Sequence, residues 1–300
     1  MGGGNGGIRR WRLADGQEVP IRNQTEMELR AICMSKNQKW IVCGTTQGAS
    51  VWDGEMNEKF IDVQGESRVW AVDISPDSTR FATGTYKNAS IWSFASGKRL
   101  VGPLDHLDNE VAGLRFSPTG ERVATACWGG HSICIFDSHT GDKLITIKVD
   151  TASWLGTLLA WSNDAQRIFA TSEDKKIRAF DVSTGSQLAQ SQVLHDDNKG
   201  IPSIALAPNS TFIASFASHS ISFLDASTLA HIDLAIKDSK ETRSISISPN
   251  NSYVATGRYD GKIVIRDLSK LLPDSYGPFH VSIRALVVLR CGIVPFNHSC

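Results

Sequence analysis

The first chemistry to consider is that of carboxylates, because five aspartates recur in this chain at related positions. They are Asp53, Asp137, Asp181, Asp225 and Asp267. Two carboxylates that converge can perform general acid–base chemistry, but carboxylates repeated at the starts of hairpins more often accept hydrogen bonds in turns. The sequence contains no G-x-S-x-G elbow, no phosphate loop and no H-E-x-x-H pair. These patterns predict a protein that is not an enzyme, with no catalytic, cofactor-binding or metal-binding residues.

Cysteines could supply metal ligands, disulfides or a nucleophile. The chain has six of them, at Cys33, Cys43, Cys127, Cys134, Cys291 and Cys300. None forms a C-x-x-C pair, and the first four lie in apolar, strand-like runs. This pattern favours buried free thiols in a reducing compartment over a metal site or a disulfide framework.

The charge balance excludes some classes of partner. The 300 residues include 31 Lys and Arg and 31 Asp and Glu, which gives a formal net charge of zero. That balance argues against broad binding to nucleic acid or to an anionic membrane. The N-terminus has no apolar stretch like that of a signal peptide, and the longest apolar run, 281–296, is interrupted by Arg284 and Arg290. We therefore expect a cytoplasmic protein that does not enter a membrane, with the nucleus as the alternative compartment.

A short turn signal recurs six times and predicts the fold. It begins at Ser35, Ser75, Ser117, Ser162, Ala207 and Ser248, at intervals of 40 to 45 residues. Several copies place Pro at the second position and Asp or Asn at the third, residue types that favour a tight turn. A period of this length without a helical segment is typical of a β-propeller. Each unit divides into four short strands, as residues 68–101 illustrate.

The repeats predict an all-β, seven-bladed propeller of four-stranded antiparallel blades, with one blade shared between the termini or incomplete. The third strands align at Trp11, Trp52, Trp92, Phe136, Phe180, Leu224 and Arg266. We assign residues 1–7 to a flexible Gly-rich leader, 8–278 to the propeller and 279–300 to a divergent tail. Residues 8–22 supply two strands of the seventh blade. The tail either completes that blade or is an unrelated extension that leaves the ring gapped.

The repeat resembles the WD repeat of β-propellers over residues 8–270. The residues that match the Asp of its Trp-Asp pair are Asp53, Asp137, Asp181, Asp225 and Asp267. Residues 254–261 match the same repeat, and the divergence is similar to that of fungal WD-repeat proteins. The Gly-His dipeptide of the family is missing, so we expect its buried His–Ser/Thr–Asp–Trp network to be incomplete and apolar packing to hold the blades. The resemblance implies a non-enzymatic scaffold for protein–protein interaction.

In a propeller, the residues that open each first strand surround one mouth of the central channel. Counting back from the turns places Arg30, Trp70 and Arg243 there, with Arg68, Trp128 and Tyr259 beside them. Arg and aromatic residues are enriched at the energetic centres of protein interfaces. We predict that this rim binds a peptide or protein partner, and that the propeller is monomeric within a larger complex. The alternative is structural: the tryptophans cover neighbouring blades and the arginines form local ion pairs.

Three other interpretations stay open at this point. A propeller enzyme or small-ligand sensor would need acidic or histidine side chains clustered in the central channel. A non-functional remnant would unfold without cooperativity. A substrate receptor of a ubiquitin ligase often carries Arg two residues after the Asp of the Trp-Asp pair. Those positions are Glu55, His139, Ser183, Ser227 and Ser269, which weakens this last interpretation.

Overall fold

The computed structural model describes residues 2–4, 7–12, 15–21, 28–63, 68–128, 130–149, 155–172, 174–194, 203–217, 219–238, 241–258, 260–273 and 276. In this part of the chain, regular structure consists of β-strands and one short 3-10 helix, Leu268–Lys270. The first three strands, β1 (Gly2–Gly4), β2 (Gly7–Trp11) and β3 (Glu18–Val19), form a small sheet.

Six blades follow this sheet. Blade 1 contains β4 (Leu29–Met34), β5 (Trp40–Thr45), β6 (Gly48–Asp53) and β7 (Lys59–Val63). Blade 2 contains β8 (Ala71–Ile74), β9 (Arg80–Gly84), β10 (Tyr86–Ser93) and the first part of β11 (Arg99–Phe116). Blade 3 contains the rest of β11, β12 (Arg122–Cys127), β13 (Ser132–Asp137) and β14 (Lys143–Lys148).

The remaining blades repeat the pattern. Blade 4 contains β15 (Leu155–Trp161), β16 (Arg167–Ser172), β17 (Ile177–Asp181) and β18 (Gln187–Gln190). Blade 5 contains β19 (Ser203–Leu206), β20 (Phe212–Ala217), β21 (Ser220–Asp225) and β22 (His231–Lys237). Blade 6 contains β23 (Thr242–Ile247), β24 (Tyr253–Arg258) and β25 (Ile263–Asp267) in the described residues.

The first strands of successive blades are neighbours, in the order β4, β8, β11, β15, β19 and β23. These strands are therefore innermost, and the sheets radiate from them. Large side chains such as Phe81, Phe136, Phe180 and Phe223 fill the space between sheets and are buried. The predicted all-β propeller of four-stranded antiparallel blades is confirmed at this level.

The predicted count of seven blades is not confirmed, because the described residues form six. Strand β2 was expected to belong to a seventh blade that the tail either completes or leaves open, and the tail lies outside the described residues. Instead β1, from the segment predicted to be a flexible leader, pairs with β2, with Gly2 opposite Arg9. Strand β1 consists of three glycines, so backbone hydrogen bonds alone make this pairing. The small sheet packs on blade 1 through Ile8 and Ile21. The division into leader, propeller and tail stays a prediction.

Blades 2 and 3 share one strand. The 18-residue strand β11 pairs with β10 through its first part and with β12 through its last, so seven strands form one continuous sheet. From the sequence, each unit was expected to have four short strands of its own, so one strand shared by two blades was not predicted. In the structure β10 begins at Tyr86, which lies opposite Glu110, and this extended partner keeps β11 paired across the connection.

The six turn signals adopt the same backbone geometry. In each turn the N–H of the fourth residue donates to the C=O of the first, as Ser78 does to Ser75 at 2.8 Å. The fourth residue has a φ between 57° and 80°, at Gln38, Ser78, Gly120, Ala165, Ser210 and Asn251. A turn followed by a left-handed residue is a common closure of antiparallel hairpins. The recurring sequence signal therefore corresponds to a recurring structure.

The indole-to-hydroxyl contact expected from the family is present in some blades and absent in others. In blade 2 the Trp92 Nε1–H donates to Thr83 Oγ1 at 2.9 Å. In blade 6 Arg266 replaces the tryptophan and donates to Thr256 Oγ1 at 3.2 Å. In blade 5 Leu224 replaces it, and the buried Ser215 hydroxyl has no hydrogen-bond partner. Whether the contact forms therefore depends on the residue at the third-strand position, which is Trp92, Arg266 or Leu224 in these three blades.

This contrast predicts opposite effects of removing the two hydroxyl groups. Thr83→Val should lower the free energy of unfolding by about 1 kcal/mol, because the Trp92 indole loses its acceptor. Ser215→Ala should leave stability unchanged or raise it, because a desolvated hydroxyl without a partner is removed. Urea denaturation of the two variants beside the wild type measures the difference. Equal destabilisation by both would contradict the assignment.

Candidate partner-binding rim

The predicted rim residues lie where the inner strands begin. Arg30 and Arg243 are the second residues of β4 and β23, and Trp70 directly precedes β8. At Arg30 and Arg243 the pairing register shifts by one residue, which marks β-bulges. A bulge at a strand end changes the direction of a side chain relative to the sheet. The bulges therefore release these arginines from the regular alternation of the strands.

Arg30 and Trp70 form a contact across the seam between blades 1 and 2. The Arg30 guanidinium carbon lies 5.0 Å from the centroid of the Trp70 ring, which is a cation–π geometry. Arg30 Nη2 also donates to Glu28 Oε1 at 2.6 Å. Arg30 is buried with 8% of its surface exposed, yet its Nε atom has no hydrogen-bond partner. The guanidinium is therefore held in position, but not all of its N–H donors have acceptors.

Backbone contacts with both blades hold Trp70 in place. The Trp70 N–H donates to the Gly84 C=O at 2.8 Å, and the preceding Val69 N–H donates to the Thr45 C=O at 2.9 Å. A Cβ atom at Gly44 would lie 2.8 Å from Val69 Cγ1, so glycine at this position permits the close approach. The seam thus determines where the Trp70 ring meets Arg30.

The surface continues from Trp70 into blade 3. Tyr86 is 52% exposed and pairs across the sheet with Glu110. The Trp128 N–H donates to the Glu110 C=O at 2.8 Å, and the Trp128 side chain is partly exposed. Arg30, Trp70, Tyr86, Glu110 and Trp128 together are called the blade 1–3 rim below. Tyr86 was not among the rim residues predicted from the sequence, because its place on the rim depends on its pairing with Glu110 of β11.

The other predicted rim residues are less closely connected. Arg68 is exposed, two residues before Trp70. Arg243 Nη2 lies 3.7 Å from Glu241 Oε1, a local pair like that of Arg30 and Glu28. Among the described residues no contact joins Arg243 to Arg30 or Trp70. Tyr259 lies outside the described residues. The role of all six residues in partner binding remains a prediction.

Polar side chains also meet on the inner strands. Asp73 Oδ2 accepts the Phe116 N–H at 2.7 Å, and Asp73 Oδ1 lies 3.6 Å from Cys33 Sγ, so three blades contribute. Burial raises the pKa of Asp73, although the nearby Arg115 guanidinium acts in the opposite direction. Burial raises the pKa of the Cys33 thiol as well, with Asp73 adding to the rise, so the reactive thiolate is disfavoured. No group of three potential metal ligands occurs among the described residues.

Comparison with protein-family models agrees with the repeats and the blades. The model described as WD domain, G-beta repeat matches residues 59–93, 98–137 and 234–267, each running from an outer strand into the next blade. This chain is a WD-repeat β-propeller.

Curated WD-repeat relatives are similar over part of their length. Eukaryotic translation initiation factor 3 subunit I of Pyricularia oryzae is 27% identical over 179 residues, covering 55% of this chain and 51% of that protein. Protein groucho of Drosophila melanogaster is 24% identical over 192 residues, covering 61% and 25%. WD repeat-containing protein 1 of Gallus gallus is 30% identical over 139 residues, covering 45% and 22%. The chain thus spans about half the length, or less, of these relatives, and the fungal character of its repeats stays a prediction.

A solved structure agrees on the fold. The crystal structure of the computationally designed Ika8 protein superposes with a TM-score of 0.68 and 20% sequence identity, covering 88% of this chain and 78% of that one. At this identity the likeness concerns the fold alone. None of the described helical residues forms a helix long and apolar enough to cross a membrane.

The recurring aspartates of the WD repeat accept hydrogen bonds within turns. Asp181 Oδ1 accepts the N–H groups of Ser183 and Thr184 at 2.9 and 2.7 Å. The hydroxyl of Ser183 and the backbone of Thr184 lower the pKa of Asp181 to about 2. In Asp225, partial burial raises the pKa, but hydrogen bonds from Ser227 and Thr228 outweigh it and hold the pKa at about 2. The geometry is that of turn formation.

The Asp225 turn predicts an acid-dependent loss of stability. Its folded pKa of about 2 lies below the ordinary value of about 3.9, so the ionised carboxylate stabilises the fold above that value and its contribution disappears as the pH falls through 2. The melting temperature of Asp225→Asn should lie below that of the wild type at pH 6 and approach it at pH 2. Asp233→Asn, which removes an exposed carboxylate on β22 of the same blade, is the control. The same pH dependence in both variants would refute the assignment.

Proposed function

We propose that this protein is a non-enzymatic interaction scaffold that binds a protein or peptide partner on the blade 1–3 rim. The Arg30–Trp70 contact at the seam is the observation that carries the proposal. Tryptophan, tyrosine and arginine are the residue types most enriched at interface hot spots, and all three occur on this rim.

The rim is suited to binding because it is already ordered. The Trp70 N–H bonds to blade 2 and the preceding Val69 N–H to blade 1, while Arg30 is held by Glu28 and by the indole ring. A surface that does not have to be immobilised loses less conformational entropy when a partner binds. Tyr86 adds an exposed aromatic side chain, 52% accessible, to this fixed frame.

The relatives give further support for a role in an assembly. Several are named as a subunit of a translation initiation factor. We infer by analogy that this chain works as a monomeric propeller within a larger complex, in the cytoplasm, with the nucleus as the alternative. The alternative of an enzyme or small-ligand sensor that uses the central channel has less support. The cluster on the described inner strands contains one carboxylate, Asp73, with Cys33 and Arg115, and no histidine.

Exposed aromatics on two surfaces allow a matched test. Tyr86→Ala and Trp70→Ala should each reduce partner capture roughly tenfold or more, because each removes a contact of hot-spot type. Phe60→Ala is the control, since Phe60 is also 52% exposed but lies on the outer strand of blade 1. The measurement is affinity capture from cell extract with quantitative mass spectrometry, beside melting curves for each variant.

The expected result is a set of proteins depleted in both rim variants and retained by Phe60→Ala. A capture profile in which Tyr86→Ala and Trp70→Ala match the wild type, with melting temperatures unchanged, would refute the proposed rim.

A further inference from the structure

We propose that the blade 1–3 rim recognises an acidic segment of its partner, whose carboxylates bind Arg68 and Arg30 at the blade 1–2 end. This inference rests on the proposed function and specifies the chemistry of the segment. It depends on three features of the described residues: a guanidinium with an N–H donor that lacks an acceptor, an exposed arginine two residues before the tryptophan that this guanidinium contacts, and the distribution of charge along the rim.

The first feature is the bonding of Arg30. A guanidinium has five N–H donors, and the described hydrogen bond of Arg30 goes from Nη2 to Glu28. Its Nε atom is buried and has no hydrogen-bond partner, and the side chain is 9% exposed. A buried donor without an acceptor is unfavourable, so a carboxylate from a partner would relieve an existing penalty. The Glu28 side chain is 49% exposed and can move aside.

The second feature is Arg68. It is exposed, and no ion-pair partner for it exists among the described residues. It stands two residues before Trp70, the same offset that Glu28 has from Arg30. Arg68 and Glu28 therefore occupy equivalent positions in adjacent blades, two residues before the two members of the Arg30–Trp70 contact. A carboxylate placed there meets two arginines, one of them already oriented by an aromatic ring.

The third feature is the contrast with the rest of the rim. At the blade 3 end the charge is that of Glu110, which repels an acidic group. In blade 6 two carboxylates balance two arginines: Asp238 bonds to Arg258 at 3.4 Å and to Arg266 at 3.0 Å, and Asp260 bonds to Arg258 at 2.8 Å. Arg243 is paired with Glu241 as Arg30 is with Glu28, so the difference between these two places is Arg68. The excess positive charge therefore lies at the blade 1–2 end.

A peptide fits this site better than a nucleic acid. Nucleic-acid affinity comes from many phosphate contacts, which basic side chains along an extended surface supply. Here the basic groups are two arginines, one of them paired with Glu28, and the chain has a net charge of zero. One or two carboxylates, with apolar side chains placed against Trp70 and Tyr86, match what the rim presents.

The test uses defined probes and the whole 300-residue chain. Fluorescein-labelled twelve-residue peptides of alternating Glu and Leu, and of alternating Gln and Leu, are titrated with protein at 150 mM NaCl and followed by fluorescence anisotropy. The Glu peptide should bind at least tenfold more tightly than the Gln peptide. Arg68→Glu should abolish that preference, while Arg122→Glu should change it less than twofold. Arg122 is also exposed but lies at the opposite end of β12 from Trp128.

A second pair of variants tests the competition at Arg30. Glu28→Gln should strengthen binding of the Glu peptide several-fold, because it removes the internal carboxylate that occupies Arg30. Glu241→Gln makes the same charge change beside Arg243 in blade 6 and should leave binding unchanged. Melting curves check that each variant is folded, and Arg68→Gln replaces Arg68→Glu if the latter unfolds.

Several results would overturn the inference. They are a Glu peptide that binds no better than the Gln peptide, equal effects of Arg68→Glu and Arg122→Glu, and equal effects of Glu28→Gln and Glu241→Gln. Tighter binding of a labelled single-stranded RNA 12-mer than of the Glu peptide, lost in Arg68→Glu, would also overturn it. Loss of partner capture in Tyr86→Ala would still support the scaffold if the acidic peptide failed, so the two proposals can fail separately.

Discussion

The structure depends on the close approach of neighbouring inner strands at each blade seam. Where blade 1 meets blade 2, the Val69 N–H reaches the Thr45 C=O, and where blade 2 meets blade 3, the Val111 N–H reaches the Thr85 C=O. Gly44 and Gly84 face Val69 and Val111 at these seams, where a Cβ atom would come within 3 Å of the valine side chain. These backbone contacts fix both the spacing of the blades and the positions of residues that open the inner strands. The Arg30–Trp70 contact is a consequence of that spacing.

Equivalent positions in different blades hold different side chains, although the backbone arrangement is the same. The indole contact of blade 2 persists in altered form in blade 6, where Arg266 reaches Thr256 and a second nitrogen of the same guanidinium binds Asp238. In blade 5 the contact is lost and Ser215 is left without a partner. The backbone pairing is the same in all three cases. Seam geometry and apolar packing therefore preserve the blade shape when its polar network changes.

Local sequence signals predicted the parts of the fold that depend on local chemistry. Each Ser or Ala turn start gave a hairpin with a left-handed fourth residue, and the aspartates from Asp137 to Asp225 proved to be turn acceptors. The fusion of blades through β11 could not be predicted, because it depends on a partner strand that extends to Tyr86. The pairing of β1 with β2 was missed for a related reason, since glycines carry no side-chain pattern. The rim positions could be predicted by counting residues back from the turns. The stacking of Arg30 on Trp70 could not, because it depends on the distance between two blades at their seam.

The shared strand β11 has a consequence for motion. Because seven strands from β8 to β14 form one hydrogen-bonded sheet, blades 2 and 3 cannot separate without breaking a continuous ladder. Local opening in proteins follows cooperative units, so amide protons in these two blades should exchange with solvent together and more slowly than those of blades whose sheets are separate. Trp70, Tyr86 and Trp128 all stand on or beside this double blade. The rim that we propose as a binding surface is thus carried by the longest continuous sheet among the described residues.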